Sequence, residues 1–137
     1  MKTICALILI LVIQPGYGQT DSVSTCNVFI LRATGFTASA RQFKIFVDGN
    51  LACKIQNNKY VVLELPPGKH SFAMQLDGKQ LKQKTERREI LTQEGKNYYL
   101  SSLLEMGAFS NRIRLDELSE ESGHFRLKKL GKASCTR

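Results

Sequence analysis

The sequence predicts a mainly β fold, a single antiparallel β-sandwich of about 7–8 short strands with a possible short C-terminal helix. Three observations carry this expectation. Apolar residues alternate with polar ones over short runs, as in Phe43, Ile45 and Val47 against Gln42 and Lys44. Turn signals such as Asp48-Gly49, Asn57-Asn58 and Pro66-Pro67-Gly68 separate those runs. The runs are rich in valine, isoleucine, phenylalanine and tyrosine, residues that fit a pleated, half-buried surface.

In chain order, Cys26 to Ala33 reads as the first strand and Gly35 to Ala40 as a small-residue loop. The next strand ends at Asp48-Gly49, a dipeptide suited to a tight hairpin, and Leu51 to Gln56 returns as its partner. Lys59 to Leu65 follows, with Val61, Leu63 and Leu65 on one face. The Pro-Pro-Gly turn stops it, because proline cannot donate to a sheet ladder. Phe72, Met74 and Leu76 alternate in the strand that runs to Asp77-Gly78. Residues 79–89 are polar and basic, an exposed arm or edge. Ile90 and Leu91 rejoin the core before Glu94-Gly95-Lys96, then Asn97 to Leu104 and Arg112 to Leu118 complete the strands. Tyr98 and Tyr99 are adjacent, so a strand sends their rings to opposite faces.

Ser119 has the character of a helix N-cap, with acids at Asp116 to Glu121 and bases at Arg126 to Lys129. That order suits a helix dipole. Leu118, Phe125 and Leu130 are the expected buried stripe and Gly131 the stop, although Gly123 and the alternating Phe125 and Leu127 also fit a strand over 119–130.

The first 18 residues carry the pattern of a secretory signal peptide. Lys2 supplies the positive start, Ile4 to Ile13 an apolar run of about ten residues, and Gly16 and Gly18 the small residues before a cut ahead of Gln19. The run is too short for a span of about 20 apolar residues. Residues 19–25 then form a flexible leader, and residues 26–137 a single domain. Cys26 lacks a small residue in front of it, so a lipid anchor there is not expected, and the product after cleavage is soluble in the periplasm or outside the cell.

The chain carries a net charge of +8 over 137 residues, with three prolines and no low-complexity run or internal repeat. A basic exported domain favours acidic partners, here an anionic envelope component or another envelope protein, and nucleic acid is not expected. The stretch Lys79, Lys82, Lys84, Arg87 and Arg88 is the candidate contact surface; lysines on an edge strand also discourage edge-to-edge pairing.

Cys5 leaves with the signal, which leaves Cys26, Cys53 and Cys135 in an oxidising compartment. Cys53 alternates with Leu51 and Ile55 and reads as a buried thiol. Cys26 and Cys135 stand near the two ends of the domain, and ends often lie close, so Cys26–Cys135 is the expected bridge. No close Cys or His ligand pair announces a zinc site, and neither a metal nor a cofactor is expected. No catalytic motif stands out, so no catalytic residue is assigned and the chain does not read as an enzyme. A site assembled from scattered residues such as Glu64, His70 and Tyr98, acting on envelope glycan or lipid, is the alternative. A carrier of a small apolar ligand in a barrel interior is a third reading.

Three motifs occur in order: Ile45-Phe46-Val47-Asp48-Gly49, then Leu65-Pro66-Pro67-Gly68-Lys69-His70, then Gly95-Lys96-Asn97-Tyr98-Tyr99-Leu100. In these the chain resembles the bacterial family called domain of unknown function 2846, over about Val28 to Leu118. Its V-D-G and P-P-G-x-H elements are also similar to the short PEGA modules of bacterial envelope proteins. The resemblance implies a small β-sandwich in exported or lipid-anchored bacterial proteins, with no established activity and no catalytic or ligand residues to carry over.

Overall fold

A computed structural model describes residues 24–78, 84–107 and 111–135. The expected signal at 1–18 and the leader as far as residue 23 lie outside the described residues. Among the described residues ten strands and one helix follow in the order β1 (Cys26–Arg32), β2 (Phe43–Val47), β3 (Asn50–Ile55), β4 (Lys59–Leu65), β5 (Gly68–Leu76), β6 (Lys84–Thr85), β7 (Arg87–Thr92), β8 (Asn97–Met106), β9 (Asn111–Leu118), α1 (Glu120–Leu127) and β10 (Gly131–Lys132). They form two sheets, one of order β10-β4-β1-β8-β9-β6 and one of order β3-β2-β5-β7. The mainly β sandwich is therefore as predicted. The two short strands β6 and β10 raise the count, and neither carries a hydrophobic alternation long enough to read in advance.

The pairing is mixed rather than purely antiparallel. The second sheet and the β1–β4 and β8–β9 pairs are antiparallel. The strand β8 instead lies parallel to β1, with Phe29 opposite Tyr99. Its start is held at the start of β1 by two loop bonds, Gly95 N–H to the Thr25 carbonyl and Asn27 N–H to the Lys96 carbonyl. The β10–β4 and β6–β9 contacts are parallel as well.

Period-2 alternation fills the space between the sheets. Val28, Ile30 and Leu100 from the first sheet meet Phe43, Ile45 and Phe72 from the second, all with no exposed surface. At about 25 cal/mol per Å² of apolar surface, such burial is the main favourable contribution to the fold. The β2–β3 hairpin closes as the Asp-Gly dipeptide predicts: Asp48 and Gly49 have φ of 51° and 82°, the double left-handed conformation of a primed turn.

Helix α1 lies on the outer face of the first sheet, which would otherwise expose Phe29, Leu31 and Tyr99. Ser119 is the N-cap, its Oγ accepting from Ser122 N–H at 3.3 Å, as expected from the sequence. The expected buried stripe forms only in part, with Leu118 and Leu130 half-buried. Phe125 is 61% exposed, and Gly123 is the helix residue that is buried. A Cβ at Gly123 would stand 2.3 Å from the Tyr99 ring, so glycine is what lets the helix approach the sheet. A short amphipathic pattern misled here because the contact is made by backbone, not by large side chains.

The disulfide also differs from expectation. Cys53 and Cys135 are paired, with Cα atoms 5.1 Å apart, and Cys26 is a free buried thiol donating to the Leu65 carbonyl at 3.3 Å. The chain after β10 has already reached the β4 edge, with Ala133 N–H bonded to the Tyr60 carbonyl. From there Cys135 meets Cys53 on β3 of the other sheet. The bridge thus staples the two sheets along one side, whereas Cys26 points into the core from β1.

Candidate functional site

The two sheets differ in what covers their outer faces. That of the first is covered by α1 over Phe29 and Tyr99, whose rings stack at 4.9 Å, while Arg126 donates to Ser101 Oγ and the Tyr99 hydroxyl meets His124 Nε2 at 3.2 Å. Among the described residues no element packs on the outer face of the second. Because Phe43, Ile45 and Val47 point inward, Lys44 and Phe46 point outward on β2. By register Ser71, Ala73 and Gln75 join them from β5, and Arg87 and Glu89 from β7. Lys54 lies opposite Lys44 on β3, and Lys69 lies opposite Leu91. A shallow recess of about 160 Å³ opens here between Phe46, Ser71, Ala73, Gln75 and Arg87.

Charge on this face is arranged rather than scattered. Asp77 accepts from Lys44 at 2.9 Å and from Lys54 at 3.1 Å, and those two lysines pull its carboxyl down to about 2. One carboxylate therefore holds two like charges near each other. Lys69 pairs with Glu89 at 2.8 Å. Arg87 has no partner among the described residues, and it lines the recess.

Of the basic stretch expected to act as one surface, Lys84, Arg87 and Arg88 are in described strands. Arg87 and Arg88 are neighbours on a strand and face opposite sides. Arg88 reaches across the open edge to Glu117 on β9 at 3.3 Å, where it ties the sheets together. Lys84 is in β6, paired by its backbone with Arg112 in the first sheet. Lys79 and Lys82 lie outside the described residues. The lysines at 44, 54 and 69 were missed by sequence reasoning, which followed the density of charge along the chain. Alternation from Ile45, Cys53 and Phe72 was the signal that put each of them on an outer face.

At the opposite end from the β1–β2 loop, the first two family-like motifs meet. His70 Nδ1 lies 2.7 Å from Asp48 Oδ2 and its Nε2 lies 2.8 Å from the Pro66 carbonyl, while Asp48 Oδ1 accepts from Ser71 N–H at 2.8 Å. Both ring nitrogens face acceptors, so only the imidazolium donates to both. Burial alone would lower the His70 pKa, but the bonds to Asp48 and Pro66 and the Asp48 charge outweigh it and raise the value. Asp48 is lowered, first by its bond to His70 and then by Ser71. The single Thr92 hydroxyl proton is shared between the Gly68 carbonyl at 3.0 Å and the Pro66 carbonyl at 3.3 Å, which completes a locked turn. In this arrangement neither His70 nitrogen is open to take a proton from a substrate.

The other residues singled out from sequence do not join His70. Tyr98 is half-buried, its hydroxyl accepting from Gln93 N–H at 2.9 Å. Glu64 is exposed on the outer face of the first sheet, opposite Asn27. Among the described residues no group of three His, Cys, Asp or Glu side chains is placed to hold a metal ion.

A two-sheet β-sandwich with one covered and one open face is the class these features define. The model of the family described as "Protein of unknown function (DUF2846)" matches residues 22–113, and the chain belongs to that family. The match takes in β1 to β8 and the whole open face, and it ends before α1. No curated protein matches the chain.

Proposed function

We propose that this chain is an exported, non-enzymatic binding module of the cell envelope, which engages an anionic envelope component through the open face of the β3-β2-β5-β7 sheet. The observation that carries this reading is Arg87 at the rim of a recess, on a face that also bears Lys44, Lys54 and Lys69. Export is supported by the signal-like start at residues 1–18 and is compatible with the Cys53–Cys135 pair. Among the described residues no helix is long and apolar enough to cross a membrane.

The test is a pull-down with the exported chain against envelope fractions at low and high salt. Exposed charge pairs are screened within about 8 Å at physiological ionic strength. Capture at low salt that is lost at high salt is expected, and capture indifferent to salt would contradict the electrostatic reading.

A further inference from the structure

The loop between β1 and β2 is built with unusual care for a surface connection. Arg32, with no exposed surface, donates to three carbonyls, at Arg41 (2.6 Å), Ile55 (2.9 Å) and Ala38 (2.8 Å), and its guanidinium lies 3.6 Å from the Phe43 ring centre. Asn57 holds the other limb. Its Oδ1 accepts from Thr34 N–H and Oγ1, and its Nδ2 donates to the Gly35 carbonyl. Ala38 is kept at φ 53°, a conformation an L-residue adopts only when its surroundings impose it. What this scaffold presents is Phe36, whose side chain is 100% exposed.

The base of the same loop is cationic and continuous with the open face. Arg41 donates from Nε to the Asp77 carbonyl at 3.0 Å, and the Asp77 carboxylate holds Lys44 and Lys54. Strand β8 extends beyond the sheet at the same end: it runs four residues past Ser102, the last residue paired to β1, and ends at Met106, which is 67% exposed. Two separate exposed apolar residues at one end, Phe36 and Met106, with cations behind one of them, do not match a protein groove, which needs a contiguous apolar patch. They match a planar medium that is apolar within and anionic at its surface.

From this we infer that the anionic component is a lipid surface, and that Phe36 is the residue that enters it while Arg41, Lys44 and Lys54 lie at the headgroups. The inference rests on the open-face reading above and names its partner. The chain contains no tryptophan, so Phe36→Trp is a single reporter at a fully exposed position. The exported chain is mixed with vesicles of phosphatidylglycerol and phosphatidylcholine, with vesicles of phosphatidylcholine alone, and with dextran sulfate as a soluble polyanion.

Phe36→Trp emission is expected to shift to the blue on the anionic vesicles only. Phe36→Ser is expected to weaken binding to them about tenfold, and to leave dextran sulfate binding unchanged. Vesicle binding without a blue shift overturns the entry of Phe36, and dextran sulfate binding without vesicle binding overturns the lipid surface; both leave the open face standing. A blue shift that grows with protein concentration in the absence of vesicles also overturns it, in favour of self-association. Binding to neither probe overturns both readings.

Discussion

Gly123 and Tyr99 show how one absent methyl group decides where a helix sits. A Cβ at position 123 would stand 2.4 Å or less from two Tyr99 ring carbons. In an exposed helix, alanine for glycine stabilises by about 1 kcal/mol. Here Gly123→Ala is expected to destabilise by about 1–3 kcal/mol, because the helix must lift off the Phe29–Tyr99 pair. Urea unfolding checks the sign. His70 gives a second prediction at this scale. Its folded pKa is raised above 6.5, so its contribution is whole below that value and is lost as pH rises through the folded pKa. Asp48 is lowered, so its contribution is present above 3.8 and is lost as pH falls through its folded value. Thermal unfolding midpoints should therefore fall as pH rises beyond neutrality, and His70→Gln should flatten that slope.

Among the elements, the hairpins were legible because their chemistry is local. Asp48-Gly49 dictates its turn whatever surrounds it, and Ser119 caps α1 with its own hydroxyl. The cysteine pairing was not legible, since it depends on where the chain after β10 arrives. Proximity of chain ends favoured Cys26, but β1 is central in its sheet and turns Cys26 inward, whereas β3 is an edge strand that the tail can reach. Peptide mapping of the oxidised protein should give a Cys53–Cys135 link and one thiol, at Cys26, that reacts only after unfolding. The two cysteines are 82 residues apart, and Cys135→Ser should cost about 4.5 kcal/mol by the loop-closure relation. A Cys26–Cys135 link would contradict the fold of the tail.

For the whole molecule, the sandwich class followed from period and turns, while the site depended on which sheet each strand joined. Of the dense basic stretch that looked like one surface, Lys84 joins the first sheet by its backbone, while Arg87 and Arg88 lie on β7 of the second and face opposite sides. Three lysines far apart in sequence, at 44, 54 and 69, share a face because β2, β3 and β5 are neighbours. The most direct measurement of what that face does is the salt dependence of binding to an anionic probe after charge reversal at two sites. Lys69→Glu with Arg87→Glu alters the open face, and Lys128→Glu with Lys129→Glu alters the end of α1, with the same change in net charge. The first pair should weaken binding at low salt by about tenfold or more and flatten its dependence on salt, while the second should change it by about twofold at most. Equal losses from the two pairs would mean that net charge alone, and not the open face, is recognised.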